Sequence, residues 1–179
     1  MRYSVLAMLD SLFGLPGHPL IVHGAVVLVP LAALGTIVMA LWPAARNRMG
    51  WIVAGVGVVG FFFTYFAKES GEALLETVKV TDAVDAHVQM GTQGVIGAFL
   101  VGGSACAVML LDLFLKQWAK RGLPELSISR LLQTSFGVIA IVLCVTGSIM
   151  VINVGHSGAK ATWENWADSP AGTSTYERD

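Results

Sequence analysis

The chain has 179 residues, of which 55% are apolar and only 13% are charged, about half the charged share of an ordinary soluble domain. The mean hydropathy is +0.69 and the formal net charge is −1. These values exclude a disordered chain, a nucleic-acid-binding protein and a water-soluble globule, and the length allows one domain. The two cysteines, Cys106 and Cys144, lie inside apolar runs and indicate neither a disulfide framework nor a redox compartment.

The N-terminal segment, residues 1–17, precedes the first long apolar run. Apolar side chains recur at helical spacing between residues 5 and 13, which predicts a short amphipathic helix lying in the membrane interface. Asp10 interrupts the apolar residues and no small-residue cleavage site follows, so the segment is not typical of a signal peptide.

Four apolar segments are long enough to cross a bilayer, which needs about 20 residues and tolerates roughly 17 to 25. They are residues 20–42, 51–67, 88–115 and 131–154, and Asp112 is the one charged residue inside them. None carries the regular polar face of a soluble amphipathic helix. Only eight residues separate the first two spans, which forces an antiparallel hairpin. The sequence therefore predicts an all-α protein, an integral membrane up-down four-helix bundle.

The two ends of this bundle differ in charge. Basic residues dominate the connections after spans 1 and 3. Arg46 and Arg48 follow span 1, and the segment after span 3 carries Lys116, Lys120, Arg121 and Arg130 against the single carboxylate of Glu125. Acidic residues dominate the 68–87 loop and the C-terminal segment. Cytoplasmic loops are enriched in Lys and Arg, so we expect both termini and the 68–87 loop to lie outside a bacterial cytoplasmic (inner) membrane. On this view Asp112 forms a surface ion pair with Lys116.

The predicted domain boundaries follow from these segments: an interfacial segment at 1–17, the transmembrane domain at 18–158, and an outer amphipathic segment with a flexible tail at 159–179. In the outer loop, Thr81 or Asp82 is the expected N-cap of a helix that runs through His87 into span 3. The sequence shows no internal repeat.

The four histidines all fall at the outer end of the predicted bundle. His18 precedes Pro19 and is expected outside the first helix, His23 lies inside that helix, His87 opens helix 3, and His156 is expected in a flexible Gly-rich turn after helix 4. Ionisable groups at membrane depth are costly and mark functional sites. We therefore expect a ligand cluster.

Haem b is the first ligand that this cluster would suit. Two neutral imidazoles from different helices bind haem iron axially, and His23 with His87 is the expected pair, because helices 1 and 3 are diagonal in the bundle. His18 and His156 would form a second pair or contact the propionates. Small residues on the facing helices, such as Gly91 and Gly94 of helix 3, would make room for a flat porphyrin, although close helix packing alone also favours them.

Other interpretations of the histidines remain open. Three or four of them could hold zinc or copper, with Glu72 or Asp85 as additional ligands. They could also form a proton or ion pathway, or make interfacial hydrogen bonds without any cofactor. No nucleotide-binding loop, catalytic triad or buried carboxylate pair is present, so an electron carrier or binding protein is favoured over a catalyst.

Three motifs resemble a widespread family of four-helix bacterial membrane proteins of unknown function. They are HPLIVH at 18–23, SGE at 70–72 with His87 following, and GHSGAKATW at 155–163. One difference is Gly24-Ala25, where family members often have Phe-Pro. The His-bearing elements are similar to those of small dihaem-type membrane cytochromes, and this resemblance implies that His18, His23, His87 and His156 bind the cofactor.

The expected function is that of a membrane b-type haem protein, which transfers electrons at the outer face of the cytoplasmic membrane. Its partners would be a quinone, a respiratory enzyme or a soluble cytochrome c, the last attracted by the acidic outer surface. A homo-oligomer is also possible. The alternative is a non-redox zinc- or copper-binding protein, or an accessory subunit of a membrane complex.

Overall fold

A computed structural model of the chain describes residues 11–12, 15–75, 78–121 and 128–163. In this part of the chain, two very short strands, β1 (Ser11–Leu12) and β2 (Leu15–Pro16), pair antiparallel. Four long helices follow: α1 (Gly17–Leu41), α2 (Pro43–Leu74), α3 (Asp82–Lys120) and α4 (Ile128–Trp163). Leu12 is therefore extended where an interfacial helix was predicted, and residues 1–10 of that prediction lie outside the described residues.

The helices form the predicted membrane bundle. All four are long and apolar enough to cross a bilayer. At most half of each apolar window is buried within the protein, and large side chains such as Leu34, Phe99 and Ile152 are more than half exposed. So much exposed apolar surface is unfavourable in water but matches a hydrocarbon environment.

Successive helices are antiparallel neighbours. Helix α1 packs against α2 and α4, α3 packs against the same two helices, and α1 meets α3 across the centre. The expectation that α1 and α3 are diagonal is thus confirmed. The bundle consists of two helical hairpins, α1–α2 and α3–α4.

The helices extend beyond the predicted apolar spans. The connection expected between spans 1 and 2 is instead the start of α2, which begins at Pro43, one residue after the non-helical Trp42. Proline at a first helical position needs no N–H partner. Charged residues such as Arg46 and Arg48 are compatible with a helix that continues into the headgroup region, although they interrupt an uncharged run.

Helix α3 has the predicted N-cap. The hydroxyl of Thr81 accepts a hydrogen bond from the backbone N–H of Val84 at 3.3 Å. Two other local predictions were wrong. His18 lies inside α1, which begins at Gly17, and His156 lies inside α4, which continues to Trp163 rather than ending in a turn.

Small residues let the backbones approach closely in the core. A Cβ built on Gly97 of α3 would lie 2.6 Å from the carbonyl oxygen of Gly147 in α4, and one built on Gly102 would lie 2.8 Å from that of Gly57 in α2. Close packing of this kind replaces the hydrophobic driving force that helices lack in lipid. Several of these glycines are thus required by the bundle itself.

Candidate functional site

Three histidines line one cavity of about 690 Å³ at the end of the bundle where α1 and α3 begin. They are His18, His23 and His87. The rings of His18 and His87 are the close pair, with centroids 6.3 Å apart and planes inclined at 69°. His23 was the expected partner of His87, but the ring that lies next to His87 belongs to His18.

The imidazole of His18 is held by the end of α2. Its Nδ1 lies 2.8 Å from the carbonyl oxygen of Ala67 and 3.4 Å from the hydroxyl of Ser70. The Ser70 hydroxyl itself donates to Ala67 O at 3.0 Å. A Cβ built on Gly71 would lie only 2.9 Å from His18 Cε1, so the ring rests directly on the backbone of α2.

The imidazole of His87 is held in the same way by the end of α4. Its Nδ1 lies 2.9 Å from the hydroxyl of Ser157, which donates its own proton to Val154 O at 2.8 Å. A Cβ built on Gly158 would lie 3.0 Å from His87 Cε1. Each histidine therefore lies over a Ser-Gly pair whose serine also bonds the carbonyl three residues earlier.

These contacts fix the tautomer that each ring adopts in its neutral form. A backbone carbonyl only accepts hydrogen bonds, so neutral His18 carries its proton on Nδ1. The Ser157 hydroxyl donates a hydrogen bond to Val154 O, so it accepts one from Nδ1 of His87. In both rings Nε2 is left with its lone pair. Metal-binding histidines have this arrangement, in which the second nitrogen donates to a carbonyl or another acceptor that sets the ring orientation.

The remaining histidines differ in their surroundings. His23 lies in α1, is exposed, and places Nδ1 2.5 Å from the carbonyl oxygen of Pro19. His156 lies in α4 at the same end of the bundle, but it is exposed and does not line the cavity. Three of the four predicted histidines thus share the cavity.

The predicted carboxylate ligands are engaged elsewhere. Glu72 lines the cavity but pairs with Lys68 of the same helix, while Asp85 is exposed and accepts a hydrogen bond from Gln89 at 2.8 Å. Within the described ranges, no group of three or more His, Cys, Asp or Glu side chains is placed to hold a metal ion.

Sequence reasoning missed the residues that support the rings. Ser70 with Gly71 and Ser157 with Gly158 are the same dipeptide at the C-terminal end of the second helix in each hairpin. The SGE and GHSG motifs contained this signal. Each Ser-Gly pair lies far along the chain from the histidine that it contacts: 52 residues separate His18 from Ser70, and 70 separate His87 from Ser157. Sequence spacing alone therefore does not link the two Ser-Gly pairs to their histidines.

Comparison with known proteins identifies the family. No curated protein and no solved structure matches the chain. A family model described as "Predicted membrane protein (DUF2231)" matches residues 14–168, which include all four histidines and both Ser-Gly pairs. The chain therefore belongs to the DUF2231 family of predicted membrane proteins.

Proposed function

We propose that this protein is a membrane electron carrier whose cavity would bind one haem b, held by Nε2 of His18 and Nε2 of His87. The observation that carries the proposal is the pair of Nδ1-protonated imidazoles 6.3 Å apart. It replaces the His23–His87 pair expected from the sequence.

The ring spacing fits a bis-histidine ligand pair. In a linear imidazole–metal–imidazole unit with metal–nitrogen bonds of about 2 Å, the two ring centroids lie about 6 Å apart. Edge-to-face ring contacts alone also occur at about 4.5–7 Å. The support therefore comes from this spacing together with two rings whose hydrogen bonds are made by Nδ1 rather than Nε2. Hydrogen bonds donated by Nδ1 also increase the basicity of Nε2 and hold each ring in one orientation.

The cavity offers room and charge complementarity. Its volume falls within the roughly 300–1,000 Å³ typical of cofactor pockets, and a Cβ built on Gly155 would meet nothing within 4 Å. Gly91 and Gly94 of α3 line it as well. Lys79 supplies positive charge that would complement a haem carboxylate, whereas Lys68 is already paired with Glu72.

A zinc or copper site has less to support it. Such sites take three or four protein ligands, and the described residues contain no cluster of that size. Two histidines are sufficient for haem, because the porphyrin supplies four nitrogens. The contribution of the chain would be to hold two imidazoles, exclude water with apolar walls and set the electrostatic environment, while the bound haem supplies one-electron redox chemistry.

The test is the absorbance spectrum of detergent-purified protein and matched histidine variants. Wild type should show a Soret band that shifts on reduction with dithionite. His18→Ala and His87→Ala should each lose it, whereas His156→Ala should keep it, since that side chain does not line the cavity. Circular dichroism would confirm that each variant is folded.

Two results would overturn the assignment. A folded wild type that acquires no Soret band even after incubation with haemin would refute haem binding. Retention of the band in His18→Ala together with its loss in His23→Ala would instead restore the pairing first expected from the sequence.

We further propose that the cavity lies on the outer side of a bacterial cytoplasmic membrane, since the basic end of the bundle is the opposite one. Glu72→Cys should react with a membrane-impermeant maleimide in intact cells, and Arg48→Cys only after permeabilisation. The reverse labelling pattern would invert the topology, and with it the side from which redox partners approach.

A further inference from the structure

A second, smaller cavity of about 300 Å³ lies at the opposite end of the bundle, between α2, α3 and the start of α4. Unlike the histidine cavity, it is lined mainly by polar and charged side chains. The residues that matter for its chemistry are Arg46, Asn47, Asp112, Lys116, Trp118 and Gln133.

The floor of this cavity is a buried Arg46–Asp112 ion pair, which Lys116 joins from a half-exposed position. Arg46 Nε lies 3.0 Å from Asp112 Oδ1, and these two side chains are only 8% and 6% exposed. Lys116 Nζ lies 2.5 Å from the other carboxylate oxygen and donates to Asn47 Oδ1 at 2.7 Å. The predicted pairing of Asp112 with Lys116 is therefore present, but Asp112 is buried rather than at the surface. One carboxylate faces two cations, so the cluster keeps one net positive charge.

Two buried N–H groups in the cavity wall make no hydrogen bond with the described residues: Nε of Arg46 and Nε1 of Trp118. Arg46 Nε is still paired with Asp112 through charge at 3.0 Å, whereas Trp118 Nε1 has neither kind of partner among these residues. A buried donor that stays unpaired costs about 1–3 kcal/mol. An acceptor-rich, anionic group in the cavity would satisfy these donors and neutralise the surplus charge.

The position of the cavity identifies the source of such a group. This end of the bundle carries six cations and one carboxylate among the described residues, the cations being Arg46, Arg48, Lys116, Lys120, Arg121 and Arg130. Trp118 also packs its ring at 5.9 Å from that of Phe114, an exposed apolar residue on α3. Apolar lipid-facing surface thus borders the cavity, and basic pockets between transmembrane helices bind the headgroups of anionic lipids.

We propose that this cavity binds the phosphodiester of an anionic phospholipid, with Arg46, Lys116 and Trp118 Nε1 contacting its oxygens. A bound headgroup would hold α3 against α2 and the start of α4. The site is separate from the histidine cavity, so it stands whether or not the protein binds haem.

Native mass spectrometry of the purified full-length chain tests the proposal, with phosphatidylglycerol and phosphatidylethanolamine as probes. Wild type should retain phosphatidylglycerol preferentially. Lys116→Gln removes one charge and Trp118→Phe removes one N–H donor while keeping an aromatic ring. Each should weaken retention about fivefold. Lys120→Gln is the matched control, because it removes the same charge from an exposed side chain that does not line the cavity.

Three outcomes would overturn the proposal. Equal losses in Lys116→Gln and Lys120→Gln would show that only diffuse surface charge attracts the lipid. Unchanged retention in Trp118→Phe together with no preference for phosphatidylglycerol would exclude a headgroup site. Complete displacement of the lipid by millimolar inorganic phosphate would show that the cavity takes the free anion instead.

Discussion

Substitution of Gly158 by alanine should loosen His87 without unfolding the bundle. The new Cβ would lie 3.0 Å from His87 Cε1, whereas non-bonded carbons prefer about 3.5–4.0 Å, so the ring must move by about half an ångström. Functional sites must be held within about 0.5 Å of their productive geometry, so this movement reaches that limit. It would weaken the hydrogen bond from His87 to Ser157. Complete loss of that bond would cost about 1 kcal/mol, so under the proposed haem binding the affinity should fall by up to about fivefold.

The same substitution should change the stability of the bundle little. Alanine is a better helix former than glycine by about 1 kcal/mol, and this gain offsets the crowding against His87. The free energy of unfolding should therefore stay within about 1 kcal/mol of wild type. Gly137→Ala is the matched control on the same helix, because its Cβ meets Ala40 at an ordinary 3.5 Å. It should gain slight stability and keep full haem affinity.

The assay is a haem titration of haem-free protein in detergent, followed at the Soret band, with thermal unfolding by circular dichroism in parallel. Equal haem affinities for Gly158→Ala and Gly137→Ala, with both proteins folded, would refute the reasoning that Gly158 sets the position of the His87 ring. A large fall in the unfolding temperature of Gly158→Ala would show instead that the bundle, rather than the ring, absorbs the clash.

Two further predictions concern the bundle. Asp112→Asn leaves Arg46 buried without its counter-charge and should lower the free energy of unfolding by about 3–5 kcal/mol, measurable by denaturation in mixed micelles; a change below about 1 kcal/mol would indicate that the pair is hydrated. Gly97→Ala places a Cβ 2.6 Å from a backbone oxygen of Gly147 and should lower the unfolding temperature. In the control Gly103→Ala the new Cβ meets nothing within 4 Å, so the unfolding temperature should stay equal or rise. A lower unfolding temperature for Gly103→Ala than for Gly97→Ala would contradict the close contact between α3 and α4.

The fold could be predicted from the sequence because the bilayer imposes a simple requirement. A helix that crosses the hydrocarbon layer needs about 20 residues without charge, and such runs can be read directly from the sequence. Helix ends could not be predicted in the same way, because charge does not end a helix outside that layer. Arg46 and Lys160 are both helical, although each lies beyond a predicted span.

Only part of the candidate site could be predicted from the sequence. Placing four histidines at one end of the bundle required only the topology. Identifying which two rings lie close together required the position of α1 relative to α3. The expectation that Pro19 places His18 outside the helix also left His18 out of the predicted pair, although its ring lies next to that of His87. Hydrogen bonds from His18 to α2 and from His87 to α4 depend on interhelical register, which composition and spacing do not contain.

Each hairpin contributes one imidazole already oriented by its own Ser-Gly pair. The separation of the two rings is therefore a property of the contact between hairpins and not of either hairpin alone. A sub-ångström slide of α1–α2 against α3–α4 would change the distance between the Nε2 atoms while every hydrogen bond to Nδ1 stayed intact. A ligand held by both Nε2 atoms, as proposed, would depend steeply on that distance, so its affinity would report how closely the two hairpins are packed against each other.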